Sequence, residues 1–397
     1  MSKEWLFEPL DTLFFRDGLS IDRGEADYVE SIFPPHPQTM QGVVRSAVIL
    51  SHCKDPNLFG SGKCDTCEEE KCPLPEAIGS PKEGDYRALD VYGPYLYKEV
   101  NEKKGNRYFP APLDLMREKE GGRRLFSLTP GEHPVPCDIG NVRLPAKPKN
   151  KDYKPFDVAG GWIREDALLR YLKDKKMPAK DELLAEKDFY EKEPKVGIAR
   201  EYATHKVETG MLYSIVPLRF EKDVKIGLRV GGITTELEPD GFATKIGGEG
   251  RICGLAISDT EYDNSYGTLN LKDRGKVRLV LLQPADFDGS WLPFVAGFQE
   301  KQQDDGTTCW EGTIEGINGV TLCLISACIG RQQKIGGYDL TKDTKKESAV
   351  KPMRSYVPAG SVYFFEVINN SVSEIPVEGK VGNNTEIGLG HYLLGRW

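Results

Sequence analysis

Four cysteines, Cys53, Cys64, Cys67 and Cys72, stand in C-x10-C-x2-C-x4-C spacing, and four thiolates so close in sequence can satisfy a tetrahedral zinc ion. The C-x2-C pair carries most of that signal. The chain around it, Gly60-Ser61-Gly62-Lys63-Cys64-Asp65-Thr66-Cys67-Glu68-Glu69-Glu70-Lys71-Cys72-Pro73, is too polar to build a core of its own. That is where a bound metal contributes folding energy, so a structural zinc is expected on these four residues. Cys137, Cys253, Cys309, Cys323 and Cys328 read as core thiols. Nine cysteines, an odd number in 397 residues, do not read as a disulfide framework.

A second chemistry is anion binding by backbone. Thr39-Met40-Gln41-Gly42-Val43-Val44-Arg45 follows Pro37 and reads as a helix start, whose unpaired N–H groups attract anions. Gly42 admits a close backbone approach, and Arg45 falls one turn later. The same residues also describe an ordinary capped helix with a surface arginine. Glu193-Pro194-Lys195-Val196-Gly197-Ile198-Ala199-Arg200 leads through His205-Lys206 to Gly210, setting Gly197 between basic residues. Such a backbone can pass close to phosphate while Arg200 and Lys206 neutralise charge, or it can be a basic loop between domains.

In Thr244-Lys245-Ile246-Gly247-Gly248-Glu249-Gly250-Arg251, three glycines within four residues exclude a regular helix and favour an open loop. The final run contains Gly388-Leu389-Gly390-His391 and ends Gly395-Arg396-Trp397. Its small residues could bring N–H groups to an RNA backbone, or could form a hairpin leading into a last core strand.

Several chemistries are excluded by spacing. At Gly60-Ser61-Gly62-Lys63 the nucleotide-binding loop fails, because Asn57 and Cys64 occupy its diagnostic positions. The dinucleotide fingerprint fails at Gly388-Leu389-Gly390, since Gly395 comes too late. Five histidines, at 36, 52, 133, 205 and 391, form no His-Glu-x-x-His or His-Asp pair, and no Gly-x-Ser-x-Gly elbow occurs. No acid and base pair is nominated.

The elements that must position these residues are short. Gly (42) and Pro (26) are abundant, while 39% hydrophobic residues suffice for a sizeable core. Residues 4–15 suggest a strand, a bend at Pro9 and a second short strand. Helical spacing of Met40, Val43, Val44, Ala47 and Val48 predicts a helix over 39–52, and Ile163, Ala167, Leu168, Tyr171 and Leu172 predict another over 162–176. The charged stretch 173–195 resembles a solvated helix or linker. Strand candidates follow at 211–220, 224–230, 277–282, 321–327 and 361–367. Two α+β halves result, 1–205 with the cysteine insert at 53–72, and 206–397.

The net charge of −8 argues against indiscriminate coating of nucleic acid but allows a local RNA cleft. No stretch of about 18 apolar residues occurs, and the start leads into only a brief apolar run. A soluble, cytoplasmic protein with no membrane partner is expected.

Taken together, these segments resemble the third-named subunit family of the Cmr complex, a RAMP-superfamily family of type III-B CRISPR systems. The resemblance runs from Pro9-Leu10-Asp11-Thr12-Leu13-Phe14-Phe15-Arg16-Asp17-Gly18 through Phe33-Pro34-Pro35-His36-Pro37-Gln38-Thr39 to Arg45. It continues over 193–198, Glu208-Thr209-Gly210-Met211-Leu212-Tyr213, 247–251, Gln283-Pro284-Ala285-Asp286-Phe287, Val357-Pro358-Ala359-Gly360-Ser361-Val362-Tyr363-Phe364 and the terminal glycine run. It implies two ferredoxin-like, RRM-like domains, binding of the crRNA 5′ tag, and no nuclease activity. The implied partners are the large polymerase-like Cmr subunit and the backbone RAMP subunits. RNA contacts are implied at Thr39, Gly42, Arg45, Gly197, Arg200, Gly388, Gly390 and His391, and more loosely at Arg16, Arg251 and Arg354, beside Lys206 from the residue reading above. The cysteine insert departs from the simplest family pattern. Competing readings are a repeat-processing endoribonuclease on the same scaffold, with His391 or His36 as general base, and a purely architectural protein-binding cap.

Overall fold

The computed structural model describes residues 2–16, 28–60, 72–80, 85–101, 104–119, 124–149, 155–200, 207–241, 243–259, 261–262, 266–271, 275–293, 297–338 and 350–397. At 28, 198–200, 207–213 and 338 only the backbone is described. The fold is strand-rich and mixed α and β, in two compact units. One comprises Met1–Gly105, Lys187–Tyr262 and Lys334–Arg354; the other comprises Asn106–Glu186, Asp263–Gln333 and Ser355–Trp397. The sequence reading places one boundary near residue 205. The units are interleaved instead, because each central sheet recruits strands far apart in the chain.

In the first unit five strands pair antiparallel in the order Asp90–Asn101, Val224–Gly231, Ser2–Pro9, Ile252–Ile257, Ala243–Lys245. The alternation of Ser2–Pro9 buries Trp5 and Phe7, which stand opposite Leu228 and Ile226. Helix α1 (Pro37–His52) turns Met40, Val43, Val44, Ala47 and Val48 onto the same core, as their spacing predicts. The short helices α2 (Pro56–Gly60) and α3 (Leu74–Ile78) close its edge with Phe59, Leu74, Ala77 and Ile78. Gly227 is required by packing: a Cβ there would stand 2.1 Å from the ring of Tyr95. Beside this sheet, Lys195–Arg200 pairs antiparallel with Val207–Val216, which pairs parallel with Tyr28–Glu30.

The second unit carries seven antiparallel strands in the order Gln299–Gln302, Thr308–Gly312, Val320–Cys328, Val362–Asn370, Lys276–Leu281, His391–Arg396, Glu378–Lys380. Helix α4 (Glu165–Asp174) buries Ala167, Leu168, Tyr171 and Leu172. It starts later than its periodicity predicts, because Trp162–Arg164 is a strand paired with Tyr108–Pro110. Arg278 and Asp114, both almost fully buried, pair at 2.9 Å, and the guanidinium lies 3.9 Å from the ring centre of Tyr171. Removing either partner would strand a buried charge.

The segment 173–195 is not a continuous helix or linker. It contains the short strands Leu183–Leu184 and Tyr190–Lys192, since isolated apolar residues, Leu183, Phe189 and Tyr190, anchor it by burial. Cys253, Cys309, Cys323 and Cys328 are buried thiols as expected, whereas Cys137 is exposed on a small hairpin, Val135–Cys137 with Gly140–Val142. Among the described residues, no helix is long and apolar enough to cross a membrane.

Candidate nucleic-acid interface

Segments scattered through the sequence of the first unit meet at Phe14 and Phe15. The Phe15 carbonyl accepts from Ile32 N–H at 2.9 Å, and Phe15 N–H donates to Ser31 Oγ at 2.9 Å. Phe14 O accepts from Gly248 N–H at 2.8 Å. Gly247 has φ +70°, and a Cβ there would lie 2.4 Å from Phe14 O, so this approach requires glycine. Leu13 exchanges backbone bonds with Leu218, at 2.8 Å each. Below, the rings of Phe33, Tyr190 and Phe220 pack edge-on or tilted with centroids 4.9–5.6 Å apart. The segments at 9–16, 31–36, 190–195, 218–220 and 247–251 therefore share one junction.

Charged side chains ring that junction. Asp11 meets Arg251 at 3.0 Å and Arg219 at 3.4 Å. Glu193 meets Lys195 at 3.0 Å and also Arg219, while Lys195 Nζ donates to Thr12 Oγ1 at 3.1 Å. The Thr12 backbone N–H holds the Asp11 carboxyl below its ordinary range, helped by Lys195, Arg251 and Arg219. Hydrogen bonds from Arg219, then Lys195, bring Glu193 down to about 2. Three cations thus face two carboxylates, with exposed Arg16 at the end of the same segment. Exposed ion pairs of this kind are weak, so an incoming phosphate can displace them. Sequence reasoning missed Arg219 and Lys195 as site residues. Arg219 could have been found as the exposed position after buried Leu218 in a short strand.

The other expected residues fall as follows. Thr39 sits in the first turn of α1, and Gly42 is an interior helix position where a Cβ would meet nothing within 4 Å. The chain's own packing therefore does not require that glycine. Arg45 is partly turned inward: Nη2 donates to Gly79 O at 3.4 Å, and the guanidinium lies 5.6 Å from the Tyr86 ring centre. Gly197 lies on Lys195–Arg200 opposite Tyr213. Only the backbone of Arg200 is described, and Lys206 lies outside the described residues. Arg354 is exposed on Val350–Tyr356, in the first unit.

Gly388, Gly390 and His391 belong to the second unit, and here the structure corrects the picture of a free backbone surface. All three are buried. Gly390 N–H donates to Pro284 O at 2.8 Å, Gly388 N–H donates to Thr385 O at 3.1 Å, and His391 Nε2 meets Glu378 Oε1 at 2.7 Å. A Cβ on Gly390 would lie 1.7 Å from Val381 O. The glycines serve a tight corner that feeds the core strand His391–Arg396, and their donors are spent inside the unit.

Of the insert cysteines, Cys64 and Cys67 lie outside the described residues. Cys53 and Cys72 are half-buried and both pack against the core of the first unit, so the two flanks of the insert share one anchorage. A different thiol group, Cys309 and Cys323 beside Glu311, lies in the second unit.

His36 is the N-cap of α1, its Nδ1 accepting from Gln38 N–H at 3.3 Å, and burial pushes its imidazole down to about 4. A ring so placed caps the start of the helix. Because the folded value lies below the unfolded 6.5, the unfolded chain binds the proton more tightly. Stability is therefore whole above that value and falls as pH drops towards about 4, with a slope of up to about 1.4 kcal/mol per pH unit. His36→Asn keeps a capping side chain and is expected to remove that slope. Unfolding midpoints measured across the window check this, and identical pH profiles for both proteins contradict it.

Among solved structures, the chain is similar to one in the cryo-EM structure of the Type III-B Cmr-beta bound to cognate target RNA and AMPPnP. Identity is 16%, covering 91% of this chain and 86% of that chain, with a TM-score of 0.47. It is also similar to a chain of the Csm1-Csm4 cassette crystallised in complex with cA4 (9% identity, 100% and 96% covered, TM-score 0.32). A third is in the Csm3-Csm4 subcomplex of the type III-A CRISPR-Cas interference complex (13% identity, 100% and 99% covered, TM-score 0.34). No curated protein matches the chain. Residues 5–397 match the family described as CRISPR-associated protein (Cas_Cmr3), and the chain belongs to that family.

Proposed function

We propose that the chain is a non-catalytic guide-RNA-binding subunit of a type III-B CRISPR effector that holds the 5′ tag of the crRNA. The observation that carries this reading is the junction at Phe14 and Phe15, where glycine-bearing backbone and several cations occupy one place on an acidic protein. Membership of a CRISPR-associated family supplies the class. An antiparallel sheet backed by a helix in each unit supports the expectation of two ferredoxin-like halves.

In this reading RNA is held by shape and charge. Phosphates exchange for carboxylates at Arg251, Arg219 and Lys195, Arg16 adds a further cation, and the backbone at Gly197 and α1 at Gly42 offer side-chain-poor approaches. Arg45, Arg200, Lys206 and Arg354 remain proposed RNA contacts. The large polymerase-like subunit and the backbone RAMP subunits are the proposed protein partners, with zinc in the insert between Cys53 and Cys72. The endoribonuclease alternative is disfavoured by the burial of its two candidate bases, His36 in a helix cap and His391 inside the second unit.

Two measurements test the interface. On a single strand each phosphate contact contributes about 0.7 to the slope of log K against log salt. Arg219→Ala with Arg251→Ala is expected to weaken binding of tag-bearing guide RNA and flatten that slope by about 1.4. An unchanged slope contradicts the assignment. Gly42→Ala is expected to separate stability from binding. Alanine should stabilise the free chain by about 0.5–1 kcal/mol, because an interior helix glycine costs that much, while the added methyl weakens guide binding. A stabilised variant that binds guide RNA as tightly as the unmodified chain would remove Gly42 from the interface.

A further inference from the structure

The second unit sets two thiols and a carboxylate side by side, in a place the RNA reading does not use. Cys309 and Glu311, two residues apart on Thr308–Gly312, share a face of that strand. Cys323 stands directly opposite Glu311 on Val320–Cys328. The two Sγ atoms and a carboxylate oxygen of Glu311 all lie within 4.8 Å of one another. Both thiols are fully buried against Ile325, and Glu311 is half-buried. The Gln303 amide donates towards Cys323 Sγ at 3.9 Å, and Lys301 Nζ stands 3.9 Å from Glu311 Oε2. On the other side of Cys323, Glu366 is its opposite residue on Val362–Asn370.

We propose that Cys309, Cys323 and Glu311 bind a soft divalent cation of the zinc class, clamping the strands Thr308–Gly312 and Val320–Cys328 together. Two thiolates select zinc-like ions over the hard cations that an all-oxygen site would take. Zinc bonds of about 2.3 Å to sulfur and about 2.0–2.2 Å to oxygen place tetrahedral ligand atoms roughly 3.5–3.8 Å apart, so the group closes onto an ion by shifts of about 1 Å or less. Binding releases the two thiol protons to solvent. The three ligands then carry three negative charges, of which the ion neutralises two. Lys301 offsets the charge on Glu311, and the Gln303 amide supports one thiolate, as outer groups do in metal sites. Glu366, opposite Cys323 on the next strand, lies outside that close group, so the protein supplies three ligands and leaves a further coordination position to solvent. The site is separate from the four-cysteine insert and stands whether or not the RNA reading holds.

Cobalt(II) titration of the reduced, metal-free full chain tests this, because thiolate-to-cobalt absorption reports the ligands directly. Two double variants separate the thiol groups: Cys309→Ser with Cys323→Ser, and Cys64→Ser with Cys67→Ser. The first is expected to lose one equivalent of thiolate-bound cobalt, which the second retains. Glu311→Gln leaves both buried thiols in place and changes only a partly exposed side chain, and so decides the matter even if the serine pair fails to fold. It is expected to weaken that equivalent at least about tenfold, whereas Asp240→Asn, a change in the other unit, should leave it unaltered. Absorption unaffected by Glu311→Gln, or absent from the Cys64→Ser, Cys67→Ser variant, overturns the proposal. So does a Cys309–Cys323 disulfide in the isolated protein, seen as a mass lower by two hydrogens.

Discussion

Two backbone carbonyls, those of Phe14 and Phe15, hold the first unit's loops in register. One accepts from Gly248 and the other from Ile32, so a glycine loop, the chain entering α1 and the segment after the first strand are fixed to the same pair of peptide groups. Gly247 makes this geometry attainable, because any side chain there would collide with Phe14 O. The bonds are short and local, yet they join stretches more than two hundred residues apart in sequence. Around that junction Asp11 holds Arg251 and Arg219, and Glu193 holds Arg219 and Lys195.

The electrostatics built on that junction suit exchange better than permanence. Asp11 and Glu193 hold the cations in place when no anion is bound, and exposed pairs of this type add little to stability. A polyanion that offers several phosphates can take over the same guanidinium and ammonium groups. The chain's net charge of −8 then favours local binding at this junction over binding along the whole surface. In the second unit the glycines of the final turn and the Arg278–Asp114 pair are committed to packing.

Local pattern made some of this legible. The spacing of Met40 to Val48 gave α1, and the strand candidates at 224–230, 277–282, 321–327 and 361–367 were found within a few residues of the observed strands. What escaped depends on pairing between distant segments. Trp162–Arg164 has a helical pattern, but Tyr108–Pro110 recruits it into a sheet. The interleaved units follow from Ser2–Pro9 pairing with both Val224–Gly231 and Ile252–Ile257. Cys309 and Cys323 read as core thiols, which they are, and only strand register brings them together with Glu311. For the terminal glycines the sequence left open backbone and a hairpin into a core strand side by side, and only the contacts of Pro284 and Val381 decide for the hairpin.

Photocrosslinking of a guide RNA carrying a single photoreactive nucleotide, moved one position at a time within the assembled effector, tests the account most directly. Crosslinks from the 5′ tag are expected on peptides spanning 9–16, 193–200 and 247–251, and to fall away as the label moves towards the 3′ end. Tag crosslinks confined to the second unit, or a chain that captures no guide nucleotide, would contradict it.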